Sequence, residues 1–470
     1  MDMIASARFK SIGRAIVLAV IGAMAVVRFC RLETAPPGFY NDEAHIAAHV
    51  ICMSRTGHDA GGQDWPLFSG SGGGGYATPT HLYPTVIWIR IFGTSIRAFR
   101  AYAAWTMCVA IAGLFLLSRL FLGTRGATCV ALAACVWPWM FQFSRLAVDD
   151  PAMFVLGLSW GLYFFLRSPR LVDAVAAAFF LSAAAYAYPA GRIALPLLML
   201  PTLWLKLTRL GINRRYIITF CVAGVAFCLP LIDQIVNGTL MTRYAVVGIF
   251  SEHYRRVHGL TWTGACGVFF GNYLRHFGPN YLFVHGDANL RHSSQFCGEL
   301  SWLDIAALAG GIIVLAWKII RRRRVGWSPW AAFCAAGFLI GIVPAALTWE
   351  GVPHSLRSAA SWPFLCMLSG YIIWKCEQRW PASLLAFAAI ALAFAAGLTR
   401  YYFRVYPARA ASAFQVPVKQ GAEYGRKTGD WGPFRAAARD ESYDDAACAY
   451  FLMAYGGKSC DEARTISTAR

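Results

Sequence analysis

Residues 382–399 read ASLLAFAAIALAFAAGLT, eighteen consecutive positions without a charge, closed by Arg400. At about 1.5 Å rise per residue a helix of this length covers ~27 Å, close to the ~30 Å hydrocarbon core of a bilayer. Comparable apolar runs recur near 14–30, 98–118, 126–144, 151–166, 171–189, 192–208, 216–233, 301–320, 328–348 and 358–376. The whole chain of 470 residues is 57% hydrophobic and 14% charged, against roughly 25% charged in ordinary globular proteins. These runs specify an all-α polytopic membrane protein of about eleven transmembrane helices, with juxtamembrane helices and large outer-face loops. A secreted disulfide scaffold, a disordered chain and a cytosolic enzyme are excluded. Residues 15–30, behind Lys10 and Arg14, resemble a signal-peptide core, but no A-x-A-like site follows and they read as an uncleaved first helix.

The 43 basic and 24 acidic residues leave a net charge of +19. No compact basic module or basic-aromatic stripe accompanies it, so the excess belongs to topology rather than to nucleic acid. One short apolar segment, His81–Phe92, fixes the parity of everything after it. If it lies along the interface, Arg119 and Arg125, Arg167 and Arg170, Lys206 to Arg215, Arg321 to Arg324, and Lys375 and Arg379 all fall in inner loops beside a span. If it crosses, they all move outside, against the charge rule. The amino end is therefore expected inside and the carboxyl end outside. The chain then divides into a transmembrane module, 1–403, with outer loops at 31–97, 145–150, 234–300 and 349–357, and a small outer tail, 404–470. Long irregular loops are uncommon unless functional, so the active surface is expected on the outer face. The 14 cysteines are scattered, with no C-x-x-C pair; Cys448 and Cys460 could pair within an external tail.

Several outer segments carry chemistry. The first loop runs Pro36-Pro37-Gly38-Phe39-Tyr40-Asn41-Asp42-Glu43-Ala44-His45 into a short helix. Asp42 and Glu43 either serve the helix start, as a cap and a first-turn acid, or supply a general base at the membrane surface. His45 and His49 share a helix face with Asp42, so a metal is conceivable, but no fourth ligand is evident and no metal or other cofactor is required. The second outer turn contains Arg145 and Asp149-Asp150-Pro151. Asp150 before proline fits a helix cap, which leaves Asp149 as the functional acid and Arg145 as either an anion ligand or a snorkelling side chain. Tyr188 and Arg192 end the fifth span, as an interfacial belt or a binding turn. Pro353-His354-Ser355-Leu356-Arg357 places His354 and Arg357 three residues apart, as a phosphate clamp or an interfacial anchor. The large loop adds the polar stretch His285–His292. Gly72 to Gly75 lack a following Gly-Lys-Ser/Thr and make no P-loop, and Asn237-Gly238-Thr239 is a weak glycosylation sequon.

Taken in order, the Pro-Pro-Gly…Asp42-Glu43 loop, Arg100 at the start of a span, Arg145…Asp149, Tyr188…Arg192 and Pro353-His354…Arg357 resemble the membrane-embedded glycosyltransferases that use lipid-phosphate sugars. That superfamily includes the dolichyl-phosphate-mannose protein mannosyltransferases and the bacterial aminoarabinose transferases. The resemblance covers roughly residues 10–400 and is strongest over 31–170. It implies inverting transfer of a sugar from a polyprenyl-phosphate donor to an acceptor hydroxyl on a glycolipid, polysaccharide or protein. It places the reaction on the extracytoplasmic side of a bacterial inner membrane. By the same resemblance Asp42 and Glu43 lie at the catalytic centre, Asp149 is the acid of the second outer loop and Arg357 stands near the donor phosphate; Arg145, Tyr188, Arg192 and His354 are the further candidates for contact with donor phosphate or substrate. The large loop lacks the inserted sugar-binding repeats of the eukaryotic members, and the tail has no counterpart. The rival is a multi-pass transporter or lipid flippase. It is disfavoured because charges inside the spans lie mostly near their ends and no paired repeat is visible.

Overall fold

The computed structural model describes residues 3–70, 76–148, 151–209, 211, 213–236, 242–321, 328–440, 447–454 and 459–468. Asp149 and Asp150, the Gly72–Gly75 run, the Asn237 sequon and Arg322 to Arg324 lie outside them. Membrane-length helices alternate with short ones. Helix α1 is Met3–Val27, followed by α2, Asn41–Thr56, and α3, Pro79–Phe92. Next come α4, Ile96–Val136; α5, Pro138–Phe143; α6, Pro151–Arg167; α7, Leu171–Ala187; and α8, Pro189–Arg209. The large-loop region is entered by α9, Arg214–Val236, and holds α10, Thr242–Val247, α11, Glu252–Val257, and α12, Trp262–Arg275. The bundle resumes with α13, Trp302–Ile320; α14, Pro329–Ala346; α15, Trp362–Arg379; and α16, Ser383–Arg404. Among the described residues, strand is confined to a two-residue pairing, Ser69–Gly70 against Tyr76–Ala77.

Each of the eleven expected spans falls on helix. The runs 98–118 and 126–144 share one element, α4, whose axis breaks at Gly123 (φ 65°, ψ −179°), and continue into α5. Helices α4, α8, α9, α13, α14 and α16 are long and apolar enough to cross a membrane, and α6, α7 and Ser11–Val27 of α1 are shorter apolar helices. Local chemistry sets several boundaries. Ser95 Oγ accepts the Ala98 N–H at 3.1 Å to open α4, and Ser301 with Asp304 forms a reciprocal capping box at the head of α13. Such caps satisfy N–H groups that the first helical turn leaves without partners. In lipid, helix association rests on close packing, which small residues allow. A Cβ on Gly370 of α15 would stand 2.5 Å from Val130 Cα of α4, so the two backbones meet at that glycine.

Helix α3, which decides the parity, has 14 residues and exposes Ile87, Ile91 and Phe92. At about 1.5 Å per residue it covers only ~21 Å. Its carboxyl-terminal Arg90 donates to Ser54 O of α2 at 2.9 Å, and Tyr83 near its start donates to Trp65 O at 2.7 Å. Both contacts hold the helix against the first loop. At the opposite end of the bundle, Arg14 of α1 pairs with Glu377 of α15 at 3.1 Å, and Lys206 of α8 donates to Phe165 O of α6 at 2.5 Å.

The tail continues through α17, Tyr406–Arg409; α18, Val416–Thr428; α19, Gly432–Asp440; α20, Ala447–Ala454; and α21, Cys460–Thr468. Its aromatic core of Trp431, Phe434, Tyr450 and Phe451 packs on the first loop, with Phe39 edge-on to Tyr450 at 6.2 Å. Cys460 forms a disulfide with Cys52 of α2, across 408 residues. Cys448, the partner suggested by proximity in sequence, is instead buried on α20 and takes no part in that bond. The tail is thus covalently tied to the helix that carries the acidic pair.

Candidate functional site

Helix α2 begins at Asn41, with Tyr40 in the cap position, so Asp42 and Glu43 both lie in its first turn. Adjacent helical residues point about 100° apart, and the two carboxylates part accordingly. Asp42 is exposed, while Glu43 is wholly buried. Glu43 Oε1 accepts Arg100 Nε at 2.8 Å and Ala147 N–H at 2.8 Å. Its Oε2 accepts Arg100 Nη2 at 2.7 Å and Tyr40 N–H at 3.3 Å. The remaining Arg100 donors reach Leu32 O and Pro36 O at 2.8 Å and Gly38 O at 2.6 Å. One buried ion pair therefore clamps the first loop, the head of α4 and the second outer turn. A bidentate, fully satisfied pair of this kind fixes geometry as well as charge. Both carboxylate oxygens of Glu43 are thus engaged within the clamp.

Gly38 is required by the fold around this clamp. A Cβ there would lie 1.8 Å from Phe414 O, so any side chain would displace the tail from the first loop. Tyr40 packs edge-on against Phe414 at 5.6 Å, and the Asn41 N–H donates to Gln415 Oε1 at 2.7 Å.

Arg145 calls for a correction. All five of its N–H groups are directed at backbone oxygens: Val27 O and Arg28 O at 2.8 Å, Cys30 O at 2.5 Å, and Ala35 O at 2.7 and 3.2 Å. Val27 closes α1, whose negative pole a buried cation meets there, and Arg28, Cys30 and Ala35 belong to the loop that follows. Arg145 is wholly buried among Phe141, Tyr402 and Phe403, and it is a structural pin with no donor left for a phosphate.

The histidines expected to share a face with Asp42 do so. His45 Nε2 and His49 Nε2 stand 3.0 Å apart, and His49 Nδ1 accepts the Ala60 N–H and lies 3.4 Å from Asp59 Oδ2. They pair with each other and with Asp59. Tyr188 bridges α7 and α8 in extended conformation, and Arg192 Nε donates back to Ala185 O at 3.2 Å.

The late turn is built by two tryptophans. Trp139 and Trp362, both buried, donate their indole N–H to Ser355 O at 3.0 and 3.1 Å, which pins the Pro353–Ser361 segment against the bundle. The His354 N–H donates to His276 Nε2 at 3.1 Å. Arg357 reaches Thr348 Oγ1 at 3.0 Å, Glu350 O at 2.7 Å and Glu350 Oε2 at 2.8 Å. Its guanidinium is therefore engaged by an acid that is itself half exposed. Beside this turn, a groove of about 560 Å³ runs between Trp349 and the face of α12 that carries Gly264, Gly267 and Gly271, with Arg275 in its lining.

Sequence reasoning did not single out Arg291. The polar loop 285–292 is held by Gln142, whose amide donates to Arg291 O at 3.0 Å, and by Tyr406, whose hydroxyl donates to Leu290 O at 2.6 Å. That anchoring lays the Arg291 guanidinium 5.0 Å from the centre of the Tyr40 ring, two residues before Asp42. Within its own loop the Arg291 Nε makes a long contact of 3.4 Å to Asn289 Oδ1. A half-buried arginine so placed can offer N–H groups to an oxyanion. The linear sequence marks the polar stretch 285–292 but not this residue within it, because Tyr40, Gln142 and Tyr406 come from elements more than 100 residues away.

No family model matches the sequence, and no curated protein matches it. Among solved structures, the chain is similar to the oligosaccharyltransferase AglB of Archaeoglobus fulgidus in complex with an inhibitory peptide and a dolichol-phosphate, at 15% identity and a TM-score of 0.48. That match covers 91% of this chain and 59% of the archaeal one, so the present chain spans well under two thirds of its length. It is also similar to ArnT of Cupriavidus metallidurans bound to undecaprenyl phosphate, at 16% identity and a TM-score of 0.47, over 93% of this chain and 76% of that one. Its structural neighbours thus include an archaeal oligosaccharyltransferase and a bacterial aminoarabinose transferase.

Proposed function

We propose that this chain is a membrane-embedded glycosyltransferase that moves a sugar from a polyprenyl-phosphate donor to an acceptor hydroxyl at the extracytoplasmic surface. One observation carries the reading: the Glu43–Arg100 clamp holds α2 so that Asp42 is presented at an exposed helix start, beside a loop that brings Arg291 against Tyr40. An exposed acid on a clamped helix start, with an arginine over the ring two residues before it, suits a reaction that takes a proton from a hydroxyl and releases a phosphate.

In the proposed reaction Asp42 accepts the proton of the acceptor hydroxyl. The acceptor oxygen forms a bond to the anomeric carbon from the face opposite the donor phosphate, the bond between that carbon and the phosphate oxygen breaks, and polyprenyl phosphate leaves with the electron pair. Configuration inverts. Asp42 lies in the first turn of α2, where the unpaired N–H groups of a helix start face negative charge. Arg291 and the His354–Arg357 turn are the cationic and donor groups available to the leaving phosphate; Arg357 would have to exchange Glu350 for it. Tyr188 and Arg192, at the α7–α8 junction, and Asp149, outside the described residues, remain further candidates for the site. A lipid donor suits this layout because its tail stays in the bilayer while its head reaches the loops.

The Cys52–Cys460 disulfide supports the sidedness. Disulfides persist in oxidising compartments, and this one joins the first loop to the tail, the two regions that the charge rule puts outside. Native mass spectrometry of the detergent-purified chain with polyprenyl phosphate tests the donor assignment. Saturable binding that weakens in Arg291→Ala and Arg357→Ala supports it; no binding by the folded wild type would overturn it.

A further inference from the structure

We propose that Asp287, His292 and His354 form a binding site for one divalent transition-metal ion of the zinc type, held by three protein ligands with further coordination open to water or an oxyanion. Each residue offers one ligand atom, and the three atoms all lie within 4.8 Å of one another. Asp287 Oδ2 stands 3.2 Å from His292 Nδ1 and 3.9 Å from His354 Nδ1. Ligand atoms around a tetrahedral ion with bonds of ~2.0–2.1 Å sit about 3.3 Å apart, so one pair is already at that spacing, a second needs less than about 1 Å of closure, and the third, between the imidazoles, at most about 1.5 Å.

The surroundings orient these groups as metal sites orient their ligands. Asp287 Oδ1 accepts the Asn289 N–H at 2.8 Å, and Oδ2 accepts the Ser355 N–H at 2.9 Å and its hydroxyl at 3.2 Å. His292 stacks on Phe143 and His354 is tethered through its own N–H to His276, leaving the two imidazole centres 4.7 Å apart.

The Arg357 backbone N–H donates to His354 Nδ1 at 3.3 Å; an amide nitrogen can only donate, so Nδ1 presents a lone pair, which a cation would take in place of this long amide contact. Asp287 Oδ2 lies 3.9 Å from the same Nδ1. The two-imidazole, one-carboxylate set matches zinc-type ions better than magnesium or calcium.

The test uses the full chain in detergent, stripped with a chelator, then titrated with Zn2+ by calorimetry and with Co2+ by visible absorption, with metal content measured by mass spectrometry. The expected result is one equivalent per chain, with affinity reduced at least 10-fold in His292→Ala and in His354→Ala. The His292 side chain is 15% exposed, so His292→Ala decides the matter even should the more buried His354 variant fail to fold. Absence of uptake by the wild type, or unchanged affinity in His292→Ala, overturns the site; the latter would move the ion elsewhere, the His45–His49 pair included. None of these readouts depends on transferase activity.

Discussion

Glu43→Gln is the sharpest structural perturbation available. The substitution keeps shape and removes one charge, and whichever carboxylate oxygen becomes the amide then turns its N–H groups toward two donors. At Oε1 those are Arg100 Nε and the Ala147 N–H; at Oε2 they are Arg100 Nη2 and the Tyr40 N–H. Arg100, wholly buried, is left without its counter-charge. Removing one partner of a buried pair costs about 3–5 kcal/mol, because the cost includes the stranded charge as well as the lost bond. The purified protein can be unfolded by stepwise addition of SDS to mild-detergent micelles, with its tryptophan fluorescence as the signal. Glu43→Gln should lower the unfolding free energy by about 3–5 kcal/mol, and pairing it with Arg100→Met should cost clearly less than the sum of the single changes. A Glu43→Gln chain within about 0.5 kcal/mol of wild type, the range of an ordinary surface change, would refute the clamp.

Other consequences follow from the same geometry. Arg145→Leu strands five carbonyl contacts at the end of α1 and in the loop after it, so it should reduce folded yield and thermal stability while leaving donor affinity of the folded fraction unchanged, as measured by native mass spectrometry. Reduction of the Cys52–Cys460 bond, or Cys52→Ser, should free the tail from α2 and expose it to limited proteolysis; the chain-entropy model sets a ceiling of roughly 6 kcal/mol on the loss for so long a loop. Burial lowers the His276 pKa from 6.5 to about 4, so the unfolded chain binds more protons between those values. Stability should therefore be flat above pH 6.5 and fall by up to roughly 3 kcal/mol as the pH drops toward 4, with Asp287 adding its own loss from about pH 4 down toward 2. Unfolding curves across pH check both windows, and an unchanged profile in His276→Gln would count against the assignment.

The helices were legible because a bilayer imposes a length. Runs such as 382–399 or 216–233 admit few other readings, and each proved helical, as did the short segment at 81–92 that stays with the first loop. The acidic pair was legible as a pair, but which member is buried depends on Arg100 and Ala147, 57 and 104 residues away. The setting of Arg145 was hidden for the same reason: its partners are carbonyls of Val27 and of the loop after α1, and backbone acceptors leave no trace in residue identity. The cysteine pairing failed on distance in sequence, since Cys448 turns into the tail's core while Cys52 supplies the bond. Arg291 and the Asp287–His292–His354 cluster arise only where the large loop folds onto Gln142, Tyr406 and Ser355.

The most direct test of the account is a turnover assay. Purified wild-type and Asp42→Asn chains are given polyprenyl-phosphate sugars with hydroxyl acceptors, and released polyprenyl phosphate and glycosylated product are measured alongside donor binding. The account predicts product and released lipid phosphate with wild type, and a loss of at least about 100-fold in Asp42→Asn with donor binding retained. Near-wild-type turnover in Asp42→Asn would remove the base, and movement of lipid across a vesicle membrane without sugar transfer by the wild type would make the chain a transporter instead.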